Sequence, residues 1–185
     1  MKPAIRKSGS AAARLAVVAL GSNLGDSAAT LESALAALEH FAAGPLIRSS
    51  LWRTAPVDCP PGSPDFVNAV VAFEPVAAET PESLLEKLHA VEQRFGRQRS
   101  GVVNEARALD LDLIAFGDEQ RRTPGLSLPH PRAAQRQFVL APLAEILPGF
   151  QAPGWPATAG ELARRTDPGG PQGCVSKWSP AVGSG

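Results

Sequence analysis

Residues 107–116 read RALDLDLIAF, and this alternation of polar and apolar side chains predicts a β-strand. Successive side chains of a strand point to opposite faces, so Asp110 and Asp112 share one face, about 7 Å apart along the strand. The leucines that alternate with them point the other way, into a core. The chain must therefore form a sheet that has a packed face and a face with a carboxylate pair.

Two carboxylates this close repel each other, and burying them costs free energy unless something compensates. A hard divalent cation such as Mg2+ compensates well, because it prefers oxygen ligands. Arg107 lies just upstream, and eight of the 14 arginines fall between Arg94 and Arg136. Arginine beside metal-binding carboxylates predicts a polyphosphate substrate. The alternative is a solvated strand face, since Asp-x-Asp also occurs by chance.

Composition narrows the class of protein. The chain has 185 residues, of which 44% are apolar and 19% charged, and this is typical of one globular domain. Its zero net charge argues against nucleic-acid binding, and no apolar run reaches the roughly 18 residues of a membrane span. Cys59 and Cys174 form no metal or disulfide motif. We expect a cytoplasmic monomer with small-molecule partners, no nucleic acid and no membrane.

Local patterns predict the element order β-α-β-β-α-β. The predicted strands are residues 15–20, 46–53, 66–73 and the acidic strand, with helices over 27–42 and from the Thr80 cap to Gly96. This order is typical of the ferredoxin-like α+β fold, an antiparallel sheet with both helices on one face. We expect the other face to be free for a site, and a further helix within residues 133–146.

The sequence is expected to divide into three regions. Residues 1–13 are expected to be a disordered extension and residues 14–150 the folded domain. Residues 151–185 contain five prolines and seven glycines and are expected to be a tail, with a short helix near 157–165.

Charged residues near the acidic strand form a candidate phosphate clamp. Taken singly, each is more often a solvated surface or loop residue, but several cations converging on two aspartates suit phosphate. Arg132 and Arg136 would share a face if their segment is helical. The group comprises Glu92, Arg97, Arg99, Arg107, His130, Arg132 and Arg136.

Phe66 and Asn68 share a strand face, and Phe138 lies in the later helical region. Two aromatic rings and an amide suit a flat, hydrogen-bonding heterocycle, whereas the alternative is that each phenylalanine belongs to the core. The chain has no G-x-x-x-x-G-K-[ST] loop, and residues 21–25 do not fit G-x-G-x-x-G. Metal and arginines would therefore have to hold any nucleotide.

Six segments, in this order, resemble the 6-hydroxymethyl-7,8-dihydropterin pyrophosphokinase family of folate biosynthesis. The resemblance extends from residue 15 to about residue 148. The segments are ALGSNLGD (19–26), LWRTAP (51–56), PDFVNAVV (64–71), VEQRFGRQR (91–99), RALDLDLIAFG (107–117) and LPHPRAAQRQFVLAPLAEI (128–146).

The resemblance implies transfer of a pyrophosphoryl group from ATP to the pterin, with two Mg2+ ions held by Asp110 and Asp112. It implies nucleotide contacts at Glu92, Arg97, Arg107, His130 and Arg136, to which the basic group adds Arg99 and Arg132. It implies pterin contacts at Thr54, Ala55, Pro56, Val57, Phe66, Asn68 and Phe138, with Asp110 beside them. Arg97, Arg107 and Asp112 are the expected catalytic residues, and Asp112 is the hypothesised acceptor of the hydroxymethyl proton.

The chain departs from the family pattern in the loop before Arg107. Residues 104–106 read Asn-Glu-Ala where family members often have Trp-Gly-Pro, and Glu105 adds a negative charge to a segment expected to cover ATP. Phe66 stands where tyrosine is common.

Two other functions fit the fold, namely a non-catalytic ferredoxin-like binding module and another two-metal nucleotidyl-transfer enzyme. The coincidence of Glu92, Asp110 and Asp112 with the aromatic pair argues against the binding module. The set of Phe66, Asn68 and Phe138 argues against the other enzyme, which would not need a pocket for a small heterocycle beside its metals.

Overall fold

The computed structural model describes residues 14–56, 62–96, 108–165 and 175–179. The first part contains β1 (Ala16–Ser22), α1 (Ser27–Leu38), β2 (Ile47–Arg48), β3 (Trp52–Thr54) and β4 (Phe66–Phe73). There follow α2 (Pro81–Arg94), β5 (Asp110–Phe116), β6 (Arg121–Arg122), β7 (Ser127–Leu128), α3 (Gln137–Ile146), α4 (Ala159–Arg165) and β8 (Val175–Lys177). Across these described ranges, no helix is long and apolar enough to cross a membrane.

The main sheet has the strand order β5-β1-β4-β3-β8, with β2 also paired to β4, and its strands pair in an antiparallel manner. The β6 and β7 strands form a separate hairpin. The order confirms the ferredoxin-like α+β prediction, because the first and third strands of the β-α-β-β-α-β unit are central and the second and fourth flank them.

Both predicted helix starts are confirmed by their caps. The Asp26 carboxylate accepts from the Ala29 N–H at 3.0 Å at the start of α1. Thr80 caps α2, where Pro81 occupies the first turn and Ser83 completes a capping box. The α1 helix ends at Leu38 and a 3-10 turn continues to residue 41, so the predicted helix was one residue too long and became irregular in its last turn.

The sheet has a core on each face. Under α1 and α2 lie alternate strand residues such as Val18 and Leu111, packed with helix leucines such as Leu31 and Leu88. Under α3 and α4 lie the intervening residues, such as Val17 and Val70. The prediction that the second face is free was wrong, since β1 and β4 are apolar on both faces and need cover on both.

The expected boundary at residue 150 needs correction as well. Trp155 is 7% exposed and packs edge-to-face on Phe150, with ring centroids 5.9 Å apart. The predicted short helix forms as α4 and buries Leu162 in the α3 core. The β8 strand then pairs with β3. Burial of these apolar side chains makes residues 151–165 part of the folded unit, while residues 1–13 lie outside the described ranges.

The predicted strand over 46–53 is two short strands, β2 and β3, and Ser49 explains the interruption. The Ser49 N–H donates to the Val70 carbonyl at 2.9 Å, while the Ser49 hydroxyl accepts from the Val70 N–H at 3.0 Å. A side chain thus replaces a backbone acceptor, and regular pairing stops until Trp52.

Candidate active site

The acidic pair lies on β5, at the end of the sheet that α3 leaves open. Asp110 pairs across the strands with Gly21 and Asp112 with Ala19, and Ala19 belongs to the core under α3. The prediction that both carboxylates share a face, opposite to Leu111 and its neighbours, is confirmed. Because β5 is the outermost strand of the sheet, one of its edges adjoins a pocket rather than another strand.

A pocket of about 310 Å3 opens between α2, β5 and residues 124–131. Its volume lies at the lower end of the range of small-molecule sites. Two histidines and three carboxylates line it together with leucines and prolines. The polar lining residues are His89, Glu92, Asp110, Asp112, Ser127 and His130. The site therefore combines charged groups with an apolar wall.

Glu92 of α2 binds the backbone of the acidic strand. It is 2% exposed, and its carboxylate accepts from the Leu111 N–H at 2.8 Å. Leu111 lies between the two aspartates, so this bond fixes the strand at the point where both carboxylates are presented. His89 lies one helical turn before Glu92 and lines the same pocket. Sequence reasoning missed His89, although its i, i+3 spacing from Glu92 could have revealed it.

His130 is held at the pocket by its backbone. Its N–H donates to the Ile114 carbonyl of β5 at 2.8 Å, and its Nδ1 accepts from the Arg132 N–H at 3.3 Å. Burial lowers the pKa of His130, and Arg136 and Arg132 lower it further against the opposing effect of the aspartates. The neutral ring then carries its proton on Nε2, because Nδ1 is an acceptor.

Arg136 links the acidic pair to the aromatic residue of α3. Its guanidinium nitrogen lies 3.8 Å from the Asp112 carboxylate, and its guanidinium carbon lies 5.3 Å from the centre of the Phe138 ring. The condition under which Arg132 and Arg136 would share a helix face, a helical segment, is not met. Residues 133–135 form a 3-10 turn, and Arg136 has an extended backbone at the N-cap of α3. Arg132, just before that turn, is exposed.

The predicted heterocycle residues meet on the same sheet face. The Asn68 amide donates from Nδ2 to Thr54 Oγ1 at 2.7 Å, and both residues are buried. Phe66 lies opposite Thr54 and is half-buried, and Ala55 and Pro56 continue from β3 with intermediate burial. The structure thus brings the amide, the hydroxyl and one aromatic ring together at the ends of β3 and β4.

Gly21 joins the two halves of the site. It pairs with Asp110 on one side and with Asn68 on the other, which places these side chains about 10 Å apart on one face. A Cβ atom at residue 21 would lie 3.0 Å from Asn68 Oδ1. Sequence reasoning ended the first strand at residue 20 and missed Gly21, because β1 continues two residues further than its apolar run.

Four predicted site residues lie outside the part of the chain that the structure describes. They are Val57, Arg97, Arg99 and Arg107.

The acidic pair fits Mg2+ held jointly with a substrate. In the described ranges no cluster of three or more Asp, Glu, His or Cys forms a complete protein cage for a metal. Mg2+ is commonly bound by one or two carboxylates, with substrate phosphates completing its coordination. Asp110 and Asp112 provide such an incomplete set beside a pocket. The donor chemistry therefore suits a metal that arrives with a phosphorylated ligand.

The fold and the site together define a ferredoxin-like domain with an acidic pair next to a small-molecule pocket. Residues 17–148 match the model of the family described as 7,8-dihydro-6-hydroxymethylpterin-pyrophosphokinase (HPPK). The chain therefore belongs to this family.

Curated relatives carry the name 2-amino-4-hydroxy-6-hydroxymethyldihydropteridine pyrophosphokinase. The Synechocystis protein is 38% identical over 91% of this chain and 81% of its own length. The Methylorubrum extorquens protein is 40% identical over 84% and 95%, and the Bacillus subtilis protein is 41% identical over 71% and 77%.

Solved structures agree on the fold. Wild-type Plasmodium falciparum HPPK-DHPS with pteroate superposes with a TM-score of 0.65 at 15% identity and covers 82% of this chain. This chain spans 44% of that longer protein. An HPPK-DHPS structure in complex with substrates gives a TM-score of 0.64 at 14% identity, over 82% of this chain and 43% of that one. At these identities the likeness concerns the fold.

Proposed function

We propose that this protein transfers the pyrophosphoryl group of ATP to 6-hydroxymethyl-7,8-dihydropterin in folate biosynthesis, as a monomer in the cytoplasm. The hydroxymethyl oxygen attacks the β-phosphorus of ATP, the bond between that phosphorus and the α-phosphate bridging oxygen breaks, and AMP leaves. The observation that carries the proposal is the row Asp110–Gly21–Asn68, which sets a carboxylate and an amide on one sheet face on either side of a glycine.

The pterin half of the site is the end of β3 and β4 together with the start of α3. Asn68 offers its carboxamide oxygen above Gly21, while its nitrogen is already bonded to Thr54. An acceptor held in this way suits the N–H groups of a pterin ring. Phe66 and Phe138 provide the aromatic surfaces between which a flat ring can stack. Ala55 and Pro56 contribute backbone groups at the rim, and we assign Val57 to the same role.

The nucleotide half is the pocket along β5. The leucines and prolines of its wall suit a base, while His130 and Arg136 lie at the acidic pair, where the phosphates belong. The His130 Nε2–H is a donor toward phosphate, and Arg136 neutralises charge there. We assign Arg97, Arg99, Arg107 and Arg132 to the same clamp, with Arg97 and Arg107 acting on the transferred group.

Asp110 and Asp112 would hold the two Mg2+ ions that neutralise the nucleotide phosphates. The other residues of the site position the two substrates. Transfer of a phosphoryl-type group depends mostly on such alignment and on charge neutralisation. Asp110 lies between the two halves of the site and thus aligns the pterin with the phosphates. Asp112 is the residue that we assign to accept the hydroxymethyl proton.

The test is AMP release from ATP and Mg2+, with and without 6-hydroxymethyl-7,8-dihydropterin. The parent protein should form AMP only with the pterin, and Asp110→Ala should lose roughly 100-fold or more of that rate, because changes in groups that merely support a metal ligand already cost 10–100-fold. Asp118→Ala is the matched control, since Asp118 is exposed in the turn after the same strand.

Three outcomes separate the alternatives. Pterin-dependent AMP that is lost in Asp110→Ala and kept in Asp118→Ala supports the transferase. AMP formation without any pterin dependence would indicate another two-metal nucleotide enzyme. Folded parent protein that binds the pterin but forms no AMP would indicate a binding module, and the proposed function would be rejected.

A further inference from the structure

Glu145, in the last turn of α3, accepts four hydrogen bonds. Its Oε1 accepts from Ser50 Oγ at 2.6 Å and from Lys177 Nζ at 3.0 Å. Its Oε2 accepts from the Ser50 N–H at 3.2 Å and from Trp52 Nε1 at 2.9 Å. The donors belong to β3, to the residue two positions before it and to β8. One carboxylate thus connects a helix with two strands.

These partners lie next to the pterin half of the site. Trp52 lies two residues before Thr54 on β3 and pairs across the sheet with Asn68. Thr54 and Asn68 are joined by the buried hydrogen bond already described. Any displacement of Trp52 along β3 therefore moves the hydroxyl to which the Asn68 amide is bonded.

The same helix carries an aromatic wall of the site. Phe138 precedes Glu145 by seven residues, which is two turns of α3 or about 10 Å, and so both lie on one side of the helix. Glu145 therefore holds the far end of the helix that presents Phe138. Thr54 and Phe138 belong to different elements, and among the described residues Glu145 is the side chain whose hydrogen bonds tie β3 to α3.

The β8 strand completes this attachment from the C-terminal side. It pairs with β3 through Trp52↔Lys177 and Thr54↔Val175, and Lys177 also lies 5.9 Å from the Trp52 ring centre. Without β8, the edge of β3 next to the pterin site would be open.

We propose that Glu145 is a positioning residue for the pterin: it ties β3 and β8 to α3 and so fixes Thr54 and Phe138 at the separation that the ring requires. This inference rests on the proposed function. We expect the sheet and helices to stay folded without this attachment, because a hydrophobic core on each face of the sheet holds them together. What is lost is the fixed width of the pterin half of the site. The nucleotide pocket on the β5 edge is separated from β3 by two strands, β1 and β4.

Glu145→Gln is a sharp test because of the hydrogen-bond pattern. A glutamine presents one oxygen and one NH2 group in place of two acceptors. If the NH2 group replaces Oε2, it faces the Ser50 N–H and the Trp52 Nε1–H, and two bonds are lost. If it replaces Oε1, the Ser50 hydroxyl can accept from it, and the bond to Lys177 is lost. Either orientation removes part of the attachment without a change in side-chain size. Glu161→Gln is the matched control, since Glu161 also accepts hydrogen bonds at a helix, from Thr158 at 3.0 and 3.1 Å, and contacts neither β3 nor β8 in this way.

The experiment is steady-state kinetics of pterin-dependent AMP formation on the full chain. We expect Glu145→Gln to raise the KM for pterin about tenfold, while kcat and the KM for ATP stay within about twofold of the parent. Glu161→Gln should leave all three unchanged. A role limited to stability would lower the melting temperature of Glu145→Gln without moving the KM for pterin in the folded enzyme, and that result would overturn the inference.

A second variant tests the route through Trp52. Trp52→Phe keeps an aromatic ring and removes the Nε1–H that donates to Glu145, together with part of the indole. The double variant should then raise the KM for pterin no further than Glu145→Gln alone, because both changes break one connection. Independent, multiplying effects would reject the proposed route. A parent protein that forms no pterin-dependent AMP would reject the proposed function instead, so the two failures are distinct.

Discussion

Gly21 and Asn68 show how one missing side chain shapes the site. Both lie in regular, paired strands, and the amide oxygen of Asn68 occupies the space that a Cβ on residue 21 would need. The carboxylates, the amide and the aromatic rings are the groups that contact substrates in our proposal. The glycine gives them room, because any other residue in its place would push the amide away from its bond to Thr54.

Gly21→Ala should therefore weaken pterin binding. The added methyl group lies at 3.0 Å from Asn68 Oδ1, which is shorter than ordinary van der Waals contact, so the amide must move by a few tenths of an ångström. We expect about a tenfold loss of pterin affinity by calorimetry, with ATP affinity retained. Gly44→Ala is the control, because a Cβ there meets nothing within 4 Å. Equal pterin affinity in all three proteins would contradict this account of the site.

The helices of this fold cover the two faces of the sheet to different extents. The α1 and α2 helices bury one face of β1, β4 and β5, whereas α3 and α4 cover the other face only in part. The uncovered end is where Asp110 and Asn68 lie. The position of the site thus depends on where α3 begins, at Gln137, and on the segment after it that holds α3 in place. Trp155 is the largest side chain in that segment.

Trp155→Ala should destabilise the protein strongly. The indole is buried against Phe150 and the α3 core, and truncation of a buried aromatic side chain leaves a cavity. We expect the free energy of unfolding to fall by about 3–5 kcal/mol in urea denaturation. Leu24→Ala should change it by less than about 0.5 kcal/mol, since Leu24 is 43% exposed. A small effect at Trp155 would mean that residues 151–165 contribute little to the folded unit.

The carboxylates of Glu79 and Glu145 each accept hydrogen bonds from several donors. Glu79 is 4% exposed and bonds to Lys87 and Ser83. Burial opposes ionisation of Glu79, but these two partners and the charge of Arg14 lower its pKa. Burial would likewise raise the pKa of Glu145, but hydrogen bonds from Ser50, Lys177 and Trp52 outweigh it and lower the pKa to about 2.

These carboxylates predict loss of stability in acid. A group whose pKa is lower in the folded than in the unfolded state stabilises the fold above its unfolded value, here 4.5, and this contribution is lost as the pH falls toward the folded value. The melting temperature should therefore decline between pH 4.5 and pH 2, measured by circular dichroism. Glu145→Gln should be less stable at pH 7 and show a shallower decline. A decline as steep as that of the parent would show that Glu145 does not contribute.

Much of the structure could be predicted from local sequence because its causes are local. Asp26 and Thr80 cap helices through bonds to residues three positions away. The alternation around Asp110 and Asp112 correctly predicted which side chains share a face. Glu92, His130 and Arg136, which the structure places around the acidic pair, were also singled out from the sequence. The geometry of the individual residues was not predicted. Residues 133–135 form a 3-10 turn and Arg136 has an extended backbone, for example.

The sequence by itself determined the order of the elements, the capped helix starts, the acidic pair and the family resemblance, because each is encoded in short stretches or in their succession. Tertiary structure decided what depends on contacts between distant segments. It placed Gly21 between Asp110 and Asn68, packed Trp155 under α3 and joined Glu145 to Trp52 and Lys177. The physical reason is that burial and hydrogen bonding between distant residues arise only when the chain is compact, so no local sequence pattern predicts them.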